Sequence, residues 1–228
     1  MPYLYFDPTI LIVLPALIFT IWAQINVNST YSKYSKVIIS RRMTGFEAAR
    51  RILDANGLYN VGIERIGGEL TDHYDPRANV IRLSTAVYDS PSAAAVGVAA
   101  HEAGHAVQYA KEYAPIKLRQ SIIPITRFGS MMAMPLFLIG IVFAMTSLMY
   151  LGIAFYSIAL LFQLVTLPVE FNASRRAMDA LKSHSILSKD ELAASRKVLT
   201  AAALTYVAAM ATSLLSLLRL IVLANRRR

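Results

Sequence analysis

The sequence predicts a mostly α-helical membrane protein, with about four transmembrane helices and a small α+β module carried between them. Three observations lead there. Hydrophobic residues make up 56% of the 228 and mean hydropathy is +0.47, too apolar for an ordinary water-soluble domain. The apolar residues are gathered into segments of bilayer-spanning length instead of being spread along the chain. Between the first two such segments runs a stretch with amphipathic-helix, strand and turn signals, the pattern of a module that builds its own core.

Thr9 to Ile25 carries no charge and is long enough to span. It lacks a preceding basic region and a following small-residue cleavage site, so it reads as a retained anchor and not as a signal peptide. Asn26 to Arg42 is polar and basic, a juxtamembrane helix or a linker, in which Asn28-Ser29-Thr30 is a chance sequon. Thr44-Gly45-Phe46-Glu47 has capping-box spacing and opens an amphipathic helix through Ala48, Ile52 and Leu53 to the stop at Asn56-Gly57. Val61 to Ile66 and Val80 to Ser84 read as strands, separated by the turn signals Gly67-Gly68 and Asp75-Pro76. Ser90 is the expected cap of a helix with Pro91 in its first turn, running over Ala93 to Ala110 until Pro115 stops it. Ser130 to Leu148 and Tyr150 to Val169 form a tight membrane hairpin, and Val169 to Ala177 a helix at the membrane boundary. Leu199 to Ala224 is a fourth candidate span, weakened by its Ala and Thr content and by Arg219. The expected division is 1–27 anchor, 28–128 soluble module, 129–169 hairpin, 170–198 helix bearing a metal ligand, and 199–228 hydrophobic helix with a basic tail.

The chemistry sits in His101-Glu102-Ala103-Gly104-His105. Histidines four apart on a helix stand on one face, a turn apart, so both imidazoles reach a single ion. The intervening Glu102 can take a proton from water at that ion, the arrangement of a zinc hydrolase. The bland alternative is a buried helix whose histidines share this spacing by chance. With no cysteine in the chain, thiolate zinc sites and disulfides are excluded.

A catalytic zinc takes three protein ligands and leaves a position open for water. The motif that places a third histidine six residues after the second fails at Lys111, and Glu112 would have to ligate awkwardly from the same helix. The next acid is Glu170, where the chain leaves the hairpin. A hairpin returns the chain to the side it left, so Glu170 shares a compartment with His101 and His105. A carboxylate between hydrocarbon and water is costly unless paired or bound to a cation. Glu170 is therefore favoured as third ligand over an ordinary pairing with Arg175 or Arg176, with Asp179 and His184 as substitutes. His73 is read as a turn histidine and left out of the site.

HEAGHAVQ, the hairpin and LPVEFNASRRA together resemble the YugP family of membrane zinc metallopeptidases, over nearly the whole chain and including LTDHYDPRANVIRLS. More distantly the order is similar to heat-shock membrane proteases and prenyl-protein proteases. The resemblance implies a zincin-like metalloprotease module, His101, His105 and Glu170 as ligands of one catalytic Zn2+, and Glu102 as general base. In the distant relatives an aspartate one turn after the ligand glutamate supports a zinc-bound histidine; this chain has Ser174 there, with Asn172 nearby.

The function expected is a membrane-anchored zinc endopeptidase acting on membrane or membrane-adjacent proteins. The alternatives are a site-2-type intramembrane protease, disfavoured because neither hairpin helix carries an acid, and a non-catalytic zinc-binding adaptor or chaperone, whose ion would be closed by four ligands. The expected partners are a protein or peptide substrate and the lipid bilayer. The formal charge of +9 is assigned to the membrane surface and not to nucleic acid, since no basic, aromatic-studded module accompanies it. Lys33, Lys36, Arg41 and Arg42, with Arg175, Arg176, Lys182, Lys189, Arg196 and Lys197, flank the spans on the side of the motif, whereas Met1 to Pro8 and the hairpin tip have no basic residue. The positive-inside rule therefore puts the site of this multi-pass protein in the cytoplasm, against which Arg226-Arg227-Arg228 would end outside. Arg175 and Arg176 are read as lipid-facing anchors.

Overall fold

Among the described residues ten elements follow in order: α1 (Ile10–Tyr34), α2 (Gly45–Ala55), β1 (Gly62–Ile66), β2 (His73–Asp75), β3 (Val80–Ser84), α3 (Thr85–Tyr88), α4 (Ala93–Ala110), α5 (Ala114–Val142), α6 (Thr146–Ser183) and α7 (Lys189–Asn225). The structure is a computed structural model that describes residues 7–68 and 70–226. The described residues fall into two compact units, one containing those up to Ala23, Leu118–Leu167 and those from Thr205, the other Gln24–Lys117 and Pro168–Leu204.

In the first unit, α1, α5, α6 and α7 are each long and apolar enough to cross a membrane. The fourth span is a full-length helix despite Arg219, because that guanidinium is not left in hydrocarbon. It donates to Asp7 Oδ2 and to Thr9 Oγ1, each at 3.1 Å, while Asp7 also accepts from the Thr9 amide at 3.0 Å. Tyr150 Oη donates to Asn225 Oδ1 at 3.0 Å. These contacts bring the starts of α1 and α6 and the end of α7 to one end of the unit, as four crossings require. The tail beyond Arg226 lies outside the described residues. The hairpin turns at Phe143 to Met145, earlier than the apolar segmentation predicts. Ala144 takes a left-handed conformation (φ 53°) and the Met145 amide donates back to Gly140 O at 2.8 Å. Continuous apolar sequence carries no mark of such a turn. Gly152 lets the two arms touch, since a Cβ there would lie 2.7 Å from Ala133 O.

The second unit holds a mixed sheet in the order β1-β3-β2, with β1 parallel and β2 antiparallel to the central β3. β3 matches its expected span, β1 begins one residue late, and β2 was expected as a turn. His73-Tyr74-Asp75 is too short and polar to read as a strand alone, and it is held by pairing with Val80 to Arg82. Arg82, the one half-exposed residue of β3, pairs with Asp75 at 2.8 Å and Glu64 at 3.1 Å. The capping box of α2 is present: Thr44 Oγ1 accepts from the Glu47 amide, and Glu47 accepts from the Thr44 amide at 2.8 Å.

Helix α4 is almost wholly buried, and its alanines let neighbouring elements approach. Two expectations about its ends need correction. Ser92, not Ser90, is the N-cap, accepting from the Ala95 amide at 3.2 Å; Pro91 stands outside the helix and Ser90 Oγ donates to Ser92 Oγ. Pro115 does not stop α4 but lies in the first turn of α5, where its missing N–H costs nothing. The stop is a Schellman closure, with Glu112 left-handed (φ 53°), its amide on Tyr109 O, and the Tyr113 amide on Gln108 O at 3.0 Å. The core around α4 takes in Ile52 and Leu53 of α2, Ile81 and Leu83 of β3, Ala177 and Leu181 of α6 and Leu199 of α7.

Candidate metal centre

Helical periodicity puts His101 and His105 on one face of α4, and the α6 turn beginning at Glu170 lies directly opposite. That approach depends on Gly104, because a Cβ there would sit 2.7 Å from Ala173 O and 3.4 Å from Ala173 Cα. The motif's glycine thus allows the second helix to deliver its carboxylate.

Glu170 Oε2 lies 3.3 Å from His101 Nε2 and 3.5 Å from His105 Nε2. The rings stand edge to face, with centroids 4.7 Å apart and planes at 87°. One donor atom from each residue falls within 4.8 Å of the others, a group that could hold a metal ion. A tetrahedral zinc with bonds of about 2.0–2.1 Å has ligand atoms roughly 3.3–3.4 Å apart, so the two distances from the carboxylate to the imidazoles suit that ion. The donor set suits it as well, being two imidazoles and one carboxylate.

Glu170 is 2% exposed, and a carboxylate so placed needs compensating charge. Burial by itself pushes the His105 imidazole down. The Glu170 carboxylate, with the charge of Glu102 and the Gln108 bond, outweighs that burial and holds His105 above its ordinary value. Glu102 is buried between the histidines in sequence. Asp72, between β1 and β2, is pushed up by burial, against two hydrogen bonds from Ser84, with the charge of Glu102 adding to the rise.

Behind the rings the partners differ. His101 Nδ1 faces Ser174 Oγ at 3.1 Å. His105 Nδ1 faces Gln108 Oε1 at 2.9 Å. The Gln108 amide nitrogen donates to Val169 O at 2.8 Å and Asn172 Oδ1 at 3.0 Å. Asn172 therefore serves Gln108 and not His101. Arg176 Nε donates to Asn172 Oδ1 at 2.7 Å, which corrects its reading as a lipid-facing anchor, while Arg175 is exposed.

The other titratable candidates stay out of the cluster. Glu112 is turned outward by its left-handed backbone and pairs with Lys117 at 2.9 Å. His73 is exposed in β2, with Nδ1 on Thr71 O at 2.8 Å, and Asp179 is exposed on α6. Gln108 and Gly104 were not singled out from sequence. Gln108 recurs three residues after His105, on the same helix face, which is the one local signal it offered.

A family described as "Putative neutral zinc metallopeptidase" matches residues 9–225. The Bacillus subtilis (strain 168) protein named "Putative membrane protease YugP" is 49% identical over 214 residues, which cover 94% of this chain and 95% of that protein. No solved structure matches the chain. With a match over almost its full length, the chain belongs to this family of membrane zinc metallopeptidases.

Proposed function

We propose that the chain is a membrane-anchored endopeptidase that uses one zinc ion, held by His101, His105 and Glu170, to hydrolyse peptide bonds in membrane or membrane-adjacent proteins. The observation that carries this reading is the convergence of three donor atoms within 4.8 Å of one another, with the carboxylate oxygen 3.3 and 3.5 Å from the two imidazole nitrogens. When bound, such an ion supplies Lewis acidity, polarising the substrate carbonyl and bringing the pKa of its water to about 7.

The chain's own groups do the rest. Glu102, one residue from a ligand and buried, takes the proton from the attacking water as oxygen adds to the carbonyl carbon. It returns that proton to the amine nitrogen as the C–N bond breaks. Glu170 brings a negative charge to the two neutral imidazoles and so leaves the centre formally near +1. Ser174 and Gln108 hold the rings from behind. Among the described residues the cluster has three donors, which supports an open catalytic site over the four-ligand closure of a structural zinc. Helix α4 is not among the four candidate spans and packs in a core with a β-sheet, which speaks against cleavage within the bilayer by a site-2-type arrangement. The distribution of Lys and Arg favours a cytoplasmic site.

The test is Glu102→Gln in the full chain, purified in detergent and assayed on casein and on membrane substrates. Zinc content is expected to match wild type while cleavage falls by about 10²–10⁴-fold or more. Undiminished cleavage would remove Glu102 from the chemistry.

A further inference from the structure

Gln108 is fully buried, three residues past His105, and all its polar atoms are engaged. The direction of each bond follows from chemistry. Arg176 has donors alone, so the Asn172 atom it faces is the oxygen. Val169 offers a backbone carbonyl, which can only accept. The group on Gln108 that meets both the Val169 and Asn172 oxygens must therefore be its NH2, and each N–H finds one acceptor. The Gln108 oxygen is left pointing at His105 Nδ1, which must then carry the hydrogen.

A neutral His105 of that tautomer turns the lone pair of Nε2 toward Glu170 Oε2, 3.5 Å away. Two lone pairs face each other there, a gap that either a proton on Nε2 or a metal ion fills. His101 is not constrained in this way, because the Ser174 hydroxyl can donate to its Nδ1 or accept from it. Gln108 also joins the two ligand-bearing helices. Its amide bonds the carbonyl of Val169, the residue immediately before Glu170, so one side chain on α4 grips both a ligand ring and the α6 turn that carries the opposing ligand.

We propose that Gln108 is a positioning residue for the metal: locked by Val169 and by the Asn172–Arg176 pair, it fixes His105 in the metal-ready tautomer and registers that ring against Glu170. This rests on the reading of His101, His105 and Glu170 as ligands. Partners of this kind orient metal-bound imidazoles and are worth about 10–100-fold in metal affinity.

The experiment measures zinc affinity of the full chain in detergent by chelator competition, with Co2+ absorption as a second readout, for wild type, His105→Ala, Gln108→Met and Asn172→Asp. Gln108→Met keeps the volume and removes the acceptor; it is expected to lose about 10–100-fold in affinity and to alter the Co2+ ligand-field bands. Asn172→Asp keeps the oxygen that Arg176 and Gln108 both use and is expected to stay within a few-fold of wild type. Wild-type affinity and spectrum in Gln108→Met would overturn the proposal, as would an equal loss in Asn172→Asp, which keeps the acceptor of the lock and would mark a packing role. His105→Ala separates the two levels: retained zinc there defeats the ligand assignment and the positioning role together, whereas lost zinc beside an unaffected Gln108→Met defeats the positioning role alone. Should Gln108→Met fail to fold, Asn172→Leu against Asn172→Asp asks the same question. A several-fold loss in the leucine variant alone supports the lock, and equal affinities overturn it.

Discussion

Replacing Gly104 by alanine adds one methyl group at the point where α4 meets the turn of α6 that carries Glu170. The new Cβ would lie 2.7 Å from Ala173 O, 3.3 Å from its carbonyl carbon and 3.4 Å from its Cα. All three are backbone atoms of a helix, so no side chain can rotate out of the way. Restoring ordinary contact requires the helices to part by about half an ångström or more, whereas metal–ligand distances tolerate only about 0.2 Å. Overpacking of this kind costs about 1–3 kcal/mol, and the better helix propensity of alanine returns about 1 kcal/mol. Stability should therefore fall modestly, by about 0–2 kcal/mol on those two terms, while zinc affinity falls by at least about tenfold, on the scale of lost ligand positioning. The assay is chelator competition alongside thermal unfolding of the same detergent-purified sample. Gly67→Ala serves as control, because a Cβ there meets nothing within 4 Å. If Gly104→Ala bound zinc as tightly as wild type and melted higher, the close approach of the two helices would have no bearing on the metal.

Three further outcomes are expected. Glu170→Ala should lose most of the bound zinc, and full occupancy measured by metal analysis would move the third ligand elsewhere. Thr44→Ala removes the side chain that caps α2 and should cost about 1 kcal/mol in denaturant unfolding, with cleavage activity unchanged below the transition. Asp72 bears on pH. Burial raises its folded-state pKa above the usual carboxylate value, so the folded protein binds that proton more readily than the unfolded chain. The stabilising contribution is present below the ordinary value and lost as pH rises through the raised one. Asp72→Asn, which keeps an oxygen for the Ser84 amide, should therefore gain stability relative to wild type as pH climbs from below 4 toward neutrality; a difference independent of pH would refute the shift.

Features set by neighbours in the sequence were legible, and those set by distant contacts were not. His101, Glu102 and His105 needed only helical periodicity, and the Thr44–Glu47 box needed only its spacing. Glu170 was reached through hairpin parity and the scarcity of acids, a topological argument that leaves the exact turn irrelevant. That is why placing the turn several residues late did no harm to it. By contrast β2 exists through its pairing with β3, and nothing within His73-Tyr74-Asp75 announces it. Arg219 read as a weakness of the last span because its partner, Asp7, lies at the other end of the chain. Arg176 read as a membrane anchor because composition shows a charge and not the Asn172 oxygen it meets. Pro115 and Ser90 were assigned to the wrong boundary by one turn or less, since Pro both follows one helix and opens the next with equal ease.

Zinc-edge X-ray absorption on the full chain in detergent reads the coordination shell itself. The shell expected has two imidazole nitrogens and carboxylate oxygen at about 2.0–2.2 Å, with a further light oxygen donor from solvent, and it should lose one imidazole in His105→Ala. A shell with fewer than two imidazoles, or one closed by a fourth protein side chain, would contradict a catalytic centre built from His101, His105 and Glu170.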